Sequence, residues 1–207
     1  MENLNGISVS GQRHKWLANA FWTSLMTALA LALIAPEAQA EIGEKLDYAD
    51  YPVPASDDSS LGMTLNRNSP IHDNGVTFHA NTTWTVNWSY HWVAENGYCR
   101  LTNVATDLHA VIKLPRLEGS DSDTREQFDQ YLHALHQHEL GHYAIGRKAA
   151  LDVDRELRAL PVMADCQRLN ATANRVAHRI VARYTEEERT YDLVTVHGRL
   201  QGARLDL

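Results

Sequence analysis

The pentapeptide His138-Glu139-Leu140-Gly141-His142 has residue types and a spacing that suit metal-dependent hydrolysis. On an α-helix, residues four apart lie on one face, so both imidazoles can bind a single zinc ion. Glu139 stands beside the first histidine, where a carboxylate can act as the general base for an attacking water. The segment matches the H-E-x-x-H pattern of zinc proteases, and its context must decide whether the match exceeds chance.

The surrounding sequence predicts a long helix for this pentapeptide. Asp123 and Glu126 have the spacing of an N-terminal capping box, and residues 124–160 contain no proline. Apolar side chains recur there at helical intervals: Phe128, Leu132, Leu135 and Ile145. Pro161 then ends the pattern. Within the helix, Gly141 either admits another segment close to the metal or faces a packed neighbour, and the sequence leaves both possibilities open.

Two histidines do not complete a catalytic zinc site, which needs a third protein ligand. The extended pattern of the metzincins would place glycine at 145 and histidine at 148, but this chain has Ile145 and Lys148, which excludes that class. Glu156 lies 14 residues beyond His142. On a continuous helix that separation is about 21 Å along the axis, so Glu156 cannot share the ion.

The remaining candidates for the third ligand lie further along the chain. The acidic run Glu186–Glu188 can supply a carboxylate or form a solvated helix end. His178 falls off the apolar stripe of its predicted helix and is interpreted as a surface residue. His197 lies in a stretch without helical periodicity, where Asp192 can orient its ring through a hydrogen bond and Gly198 permits a close backbone approach.

The rest of the chain predicts strands followed by helices. Residues 76–93 alternate between apolar and polar side chains, residues 95–97 signal a turn, and residues 98–114 return as a second strand. A second helix over about 164–188 follows the motif helix, and the tail over 190–207 is interpreted as loop with one strand-like piece. We therefore expect an α+β fold, with a small antiparallel sheet packed against two long helices, the first of which carries the motif.

One predicted strand presents a row of bulky side chains on one face: Trp84, Val86, Trp88, Tyr90 and Trp92. Such a row can be a platform for a carbohydrate or a peptide. More commonly it belongs to the core or forms a ladder of cross-strand contacts, and we favour this structural interpretation.

The first 40 residues have the features of a signal peptide. Arg13 and Lys15 form a basic region, residues 25–34 form a short apolar stretch, and residues 38–40 (Ala-Gln-Ala) resemble a cleavage site. The alternative is an uncleaved membrane anchor, for which the apolar stretch is short. We expect cleavage after residue 40, one mature domain over 41–207 without a stable membrane span, and a periplasmic or secreted location.

Composition restricts the classes of partner. The 207 residues include 19 Lys and Arg against 26 Asp and Glu, a formal net charge of -7, and they contain no basic run, which argues against nucleic-acid binding. Cys99 and Cys166 are the two cysteines. In an exported protein an even count suggests a disulfide, and the alternative is a pair of buried thiols.

The chain resembles a bacterial family of predicted secreted zinc-dependent proteases, catalogued as domain of unknown function 922. The resemblance covers nearly all of the chain after residue 40 and rests on these elements: Asn81 to Tyr90, Cys99, Leu114-Pro115, His138 to His142, Cys166, Tyr191-Asp192, Thr195, and the closing run from His197 to Gly202. It implies a zincin-like metallopeptidase and favours His197 over the acidic run as the third zinc ligand. It does not imply a substrate.

These observations together predict an exported zinc metallopeptidase that acts on a peptide or protein substrate. His138, His142 and His197 would hold Zn²⁺, with Glu139 as the general base. Tyr191 is a candidate donor to the oxyanion, although a packed aromatic fits its position equally well. Two alternatives remain open: a non-catalytic envelope protein with a structural zinc, and a zinc amidase that acts on cell-wall peptides. The sequence predicts no oligomeric state.

Overall fold

The structure is a computed structural model that describes residues 42–56 and 58–205. The predicted signal peptide, residues 1–40, lies outside the described residues. Within them, no helix pairs the length with the hydropathy that a bilayer-spanning segment has.

Three strands form the main sheet: β1 (Gly43–Pro54), β4 (Asn81–Glu95) and β5 (Tyr98–Glu118). β5 lies in the centre, with β1 parallel to it on one side and β4 antiparallel on the other. Asn96 and Gly97 join β4 to β5 at positive φ, as a two-residue hairpin turn requires. The sheet is therefore mixed rather than wholly antiparallel, because β1 pairs with the edge of β5 that the predicted hairpin leaves free.

A short helix and a small hairpin separate β1 from β4. Helix α1 (Leu61–Asn68) begins at Ser60, whose hydroxyl accepts from a first-turn amide. β2 (Ile71–Asp73) and β3 (Val76–Phe78) pair antiparallel as a separate two-stranded sheet. The single strand expected over 76–93 is thus two strands, because β3 pairs with β2 whereas β4 pairs with β5.

Two long helices follow the sheet. The carboxylate of Asp121, rather than that of Asp123, caps α2 (Ser122–Arg158) by accepting from two first-turn amides. Asp165 caps α3 (Cys166–Thr195) in the same way. The expected α+β class, with two long helices of which the first carries the motif, is confirmed.

Helix α3 is longer than the sequence suggested. It ends at Thr195, where Val196 adopts the left-handed conformation, and a 3-10 turn follows over Arg199–Gln201. The strand-like piece expected in the tail is wrong for the residues described there. The β-branched residues of this stretch suggested a strand, but Tyr191 and Asp192 contact α2 from α3 and keep the segment helical.

Two hydrophobic clusters make up the core. The first lies between the sheet, the C-terminal half of α2 and α3, and its buried helical residues include Ile145, Ala149, Val153, Leu157, Ala173, Ala177 and Ile180. The second lies between β1, α1 and the N-terminal half of α2, and it includes Val53, Leu65, Phe128, Tyr131 and Leu135. Since the motif falls between Leu135 and Ile145, it occupies the junction of the two clusters.

Two glycines let neighbouring segments approach α2 closely. A Cβ at Gly141 would collide with the ring and hydroxyl of Tyr191 on α3, and a Cβ at Gly146 would collide with the ring of Trp84 on β4. In a helix interior, glycine costs about 0.5–1 kcal/mol relative to alanine, so both positions sacrifice helix stability for close packing. Gly141 therefore allows another segment, helix α3, to approach α2 closely.

Most of the aromatic row on β4 is structural, as expected, whereas Trp92 at its end is 49% exposed. Trp84, Trp88 and Tyr90 pack against the first cluster. The indole Nε1 of Trp84 donates to Glu188 at 2.6 Å, and that of Trp88 donates to Asn174 at 3.1 Å. These rings therefore attach the sheet to α3.

Cys99 and Cys166 form the expected disulfide, which joins the start of β5 to the start of α3. Two backbone hydrogen bonds between Cys99 and Met163, of 2.6 and 2.9 Å, lie beside it. The bond spans a sequence separation of 67 residues that includes all of α2. It therefore limits how far the motif helix can separate from the sheet.

Removing this disulfide should lower the free energy of unfolding by about 4 kcal/mol, because the crosslink restricts the unfolded chain over a long loop. Urea titration of the Cys99→Ser, Cys166→Ser double variant against the oxidised wild type measures the difference. The reduced wild type is the control and should unfold with the double variant. Equal midpoints for oxidised wild type and variant would contradict the expectation.

Gly141→Ala should destabilise the protein, although alanine is the better helix former by about 1 kcal/mol. The added methyl group overlaps the position of Tyr191, so α3 must move away from α2. In a Tyr191→Leu background the same change should become neutral or stabilising, because the outer ring atoms are gone. Thermal unfolding of the four proteins of this double-mutant cycle tests the sign. A stabilised Gly141→Ala single variant would show that the helices do not pack so closely.

Candidate metal centre

Helix α2 directs three polar side chains of the motif into the protein. His138 and Glu139 are each 3% exposed, and His142 is 7% exposed. Buried groups of this kind need hydrogen-bonding or ionic partners. Their partners come from α3, from the 3-10 turn and from the start of β4.

Asp192 on α3 meets both histidines. Its Oδ1 lies 3.1 Å from Nε2 of His138 and 3.1 Å from Nε2 of His142, and the two Nε2 atoms are 3.3 Å apart. The ligand atoms of the three residues all lie within 4.8 Å of one another. Two nitrogens and one oxygen thus converge on one small volume, as the donors of a metal site do.

The other nitrogen of each imidazole is held by an acceptor. Nδ1 of His138 lies 2.9 Å from Oε1 of Gln201 in the 3-10 turn. Nδ1 of His142 lies 3.3 Å from Oε1 of Glu188, which also accepts from Trp84. In a neutral ring, an acceptor at Nδ1 places the proton there and leaves the Nε2 lone pair facing Asp192, as in metal-binding histidines. In a protonated ring, Nε2 donates to Asp192 instead.

Charge in the cluster favours a cation. Burial lowers the pKa of His142, but its hydrogen bonds to Asp192 and Glu188 outweigh that effect and raise the pKa to about 9. Burial raises the pKa of Asp192, but the hydrogen bonds from His138 and His142 outweigh it, so the pKa lies well below its ordinary value. Asp192 is therefore ionised, and a positive charge beside it is stabilised.

The residues present fit a divalent metal ion. When both rings are neutral and donate through Nδ1, the two Nε2 lone pairs and the carboxylate oxygen of Asp192 face one another at 3.1–3.3 Å. Three electron-rich atoms so close repel unless a positive charge lies among them, and either a proton on an imidazole or a metal ion supplies that charge. Imidazole nitrogen and carboxylate oxygen are donors that Zn²⁺ accepts, and imidazole suits other transition ions as well.

Glu139 lies beside this group as a buried carboxylate. Burial, the strongest influence, raises its pKa, and the charge of Asp192 acts in the same direction. The hydrogen bond from Thr82 to Oε2, 2.8 Å long, and the two histidines lower the pKa without reversing the effect. The net pKa of Glu139 is raised, which suits a group that takes up and releases a proton.

Tyr191 packs behind the histidines. Its ring stacks on His138 with centroids 5.0 Å apart and meets His142 edge-on at 5.0 Å. Its hydroxyl donates to the His138 carbonyl at 3.3 Å and accepts from Nε2 of Gln201 at 3.0 Å. The hydroxyl proposed as an oxyanion donor is thus bonded to the protein itself, and the ring orients His138.

His197 lies outside the group of three donors. Its Nδ1 is 3.4 Å from Oδ1 of Asp192, its ring contacts Phe78, and its side chain is 49% exposed. Asp192, expected to orient His197, contacts it but also joins the two motif histidines in the group that could hold a metal ion. The reason is the length of α3: the helix carries Asp192 on the face towards α2, whereas His197 follows the helix end.

The chain turns sharply after α3. Val196, His197 and Gly198 have φ of 52°, 49° and 80°, a left-handed run that is unusual for a β-branched residue. A Cβ on Gly198 would lie 3.0 Å from the His138 ring, so the expected close backbone approach is present. This turn delivers Gln201 to His138.

The other candidates for the third ligand fall at different places. Glu186 pairs with Arg189, Glu187 lies 3.6 Å from Lys148, and both are exposed, as a solvated helix end would be. Glu188 alone of the run reaches the site, at Nδ1 of His142. His178 is exposed and contacts the edge of a tryptophan ring, in keeping with a surface position.

Sequence reasoning assigned no role to Thr82 or Gln201 and did not foresee the contact between Glu188 and His142. Thr82, Gln201 and Glu188 each reach the site through single polar contacts between segments that are distant in sequence. Such contacts leave no periodic pattern in the local sequence. Thr82 and Gln201 do stand in the runs that carry the family resemblance, and that was the available signal.

A cleft of about 750 Å³ opens onto the centre. The hairpin β2–β3, the start of β4, the motif on α2, the end of α3 and the segment after it line the cleft. Tyr131 also lines it, and its hydroxyl bonds to Nδ1 of His79 at 2.7 Å, while Nε2 of His79 bonds to Asn66 at 3.0 Å. The centre therefore opens onto a cleft within the size range of ligand-binding pockets.

Comparisons with known proteins give one result. Neither the curated proteins nor the solved structures contain a match. A family model described as "Bacterial protein of unknown function (DUF922)" matches residues 48–198, more than half of the chain, including the motif, both cysteines and Asp192. The chain belongs to the DUF922 family of bacterial proteins of unknown function.

Proposed function

We propose that the protein is an exported zinc-dependent metallopeptidase. The observation that carries the proposal is the convergence of His138, His142 and Asp192 beside the buried carboxylate of Glu139. The disulfide supports export, because such bonds persist in oxidising compartments.

The ligand set that we propose is His138, His142 and Asp192. It replaces His197, which the family resemblance implied, with the carboxylate that lies 3.1 Å from both Nε2 atoms. His197 supports this carboxylate from the solvent side at 3.4 Å. Gln201 and Glu188 orient the two ligand rings through Nδ1, as outer partners of zinc-binding histidines do.

A zinc ion bound by these residues would supply a Lewis acid that polarises the scissile carbonyl and acidifies water. Glu139 performs the proton transfers. Its raised pKa suits a base that takes the proton of the attacking water and then gives it to the leaving amine. Thr82 holds Oε2, which fixes the orientation of the carboxylate and leaves Oε1 for the water.

The open cleft favours catalysis over a structural zinc. Structural zinc sites are closed by four protein ligands, whereas the described residues bring three donors together at a cleft wall. Burial of a carboxylate such as Glu139 costs folding free energy, and a catalytic role accounts for its presence despite that cost. Both features fit a site that receives a substrate.

Glu139→Gln should retain zinc near wild-type stoichiometry while the rate of hydrolysis falls by about 10²–10⁴-fold or more, since an amide cannot accept the proton of water. Metal analysis and digestion of a randomised peptide library, with peptidoglycan fragments alongside, measure both effects. Glu156→Gln, an exposed change on the same helix, is the matched control. Undiminished activity would remove Glu139 from the mechanism, and cleavage confined to the peptidoglycan fragments would identify a cell-wall amidase.

Asp192→Ala should weaken zinc binding by more than the roughly 10- to 100-fold loss typical of an outer partner, whereas His197→Ala should stay within that range. Competition against a chromogenic chelator measures both affinities, with Glu187→Gln as the control for a lost surface charge. Chelation should also lower the thermal midpoint of the wild type, because zinc binds the folded state. Tight binding that survives Asp192→Ala and collapses in His197→Ala would make His197 the third ligand.

A further inference from the structure

Two arginines line the cleft near the proposed active site. Arg199 lies in the 3-10 turn and Arg204 lies just beyond it, and both contribute to the wall of the cleft that holds Glu139. Both side chains are exposed, and within residues 42–56 and 58–205 neither guanidinium joins an ion pair or a hydrogen bond. Arg189, the third arginine of the cleft, is instead paired with Glu186 at 2.8 Å.

The segment that carries these arginines is cationic in an acidic protein. The chain has a formal net charge of -7, yet Arg199 and Arg204 are the formally charged residues over 193–205, a stretch flanked by Asp192 and Asp206. The other charged groups of the cleft are mostly carboxylates, namely Asp73, Glu139, Glu188 and Asp192. Away from the proposed metal, an anionic group of a substrate is therefore repelled by these carboxylates and attracted to the wall formed by Arg199 and Arg204.

Both arginines lie in a tight backbone loop that also contacts the centre. Gly198 and Gly202 adopt positive φ, and the Ala203 amide donates to the Gly198 carbonyl at 3.0 Å, which closes a tight loop. Between the two arginines, Gln201 accepts from Nδ1 of His138 at 2.9 Å. The loop that carries the arginines is thus attached to the same histidine that would hold the metal.

We propose that Arg199 and Arg204 bind a carboxylate of the substrate, so that the enzyme selects peptides with an acidic group near the scissile bond. The planar guanidinium forms paired, charge-assisted hydrogen bonds with a carboxylate, which suits arginine to this role. The carboxylate belongs either to an Asp or Glu side chain or to the C-terminus of the peptide. This inference rests on the proposed peptidase function and extends the same site.

Three synthetic peptide libraries of equal length distinguish the sources of the carboxylate. The first has a free C-terminus and a neutral interior, the second has an amidated C-terminus and one internal Glu, and the third replaces that Glu with Gln. Hydrolysis is measured as kcat and KM, and binding is measured by fluorescence anisotropy on the inactive Glu139→Gln protein.

The wild type should prefer the first or second library over the third by about 10-fold in kcat/KM, the scale of one charge-assisted hydrogen bond. Arg199→Gln with Arg204→Gln should abolish the preference through KM and leave hydrolysis of the neutral library unchanged. The conservative lysine pair should restore part of it. Arg175→Gln with Arg179→Gln, two exposed arginines of α3 outside the cleft lining, is the matched control and should keep the preference.

Equal treatment of the three libraries by the wild type in both assays would overturn the inference, as would an equal loss of preference in the control pair. Arginine-dependent binding of acidic peptides without cleavage of any library would refute the peptidase function and leave the carboxylate site in place. Cleavage of all libraries without arginine dependence would support the peptidase function and refute the carboxylate site.

Discussion

The contact of Asp192 with the two motif histidines is the interaction on which the rest of the structure depends. It brings a carboxylate oxygen and two imidazole nitrogens within 3.3 Å of one another at the junction of two hydrophobic clusters. Such a group is costly to bury unless a positive charge compensates it. A metal ion bound there would link metal binding to folding, because its donors come from both long helices.

The surrounding elements are arranged to make this contact possible. Gly141 removes a side chain from α2 so that Tyr191 can lie flat against His138. Trp84 on β4 holds Glu188, and Glu188 holds His142. A residue of the sheet therefore orients His142, although His142 lies on α2. The close packing sacrifices helix propensity at one position in return for a rigid arrangement of the donors.

Much of the site was predictable because it depends on local spacing. The pair His138 and His142 and the helix that carries them follow from periodicity, and the disulfide follows from the number of cysteines. The position of Asp192 was harder to predict, because it depends on where α3 ends. A helix that stopped near residue 188 would leave Asp192 in a loop, whereas the observed helix end at Thr195 turns it towards α2. The parallel pairing of β1 with β5 joins distant segments, which no short pattern encodes.

The division of the donors between separate helices also orders events during synthesis. A chain that emerges from its N-terminus presents His142 fifty residues before Asp192, and His138 precedes Gln201 by 63 residues. The nascent helix thus carries two histidines with neither their third donor nor the amide that orients one of them. If the centre is hydrolytic, it is incomplete in the unfinished polypeptide and is assembled only when α3 packs against α2.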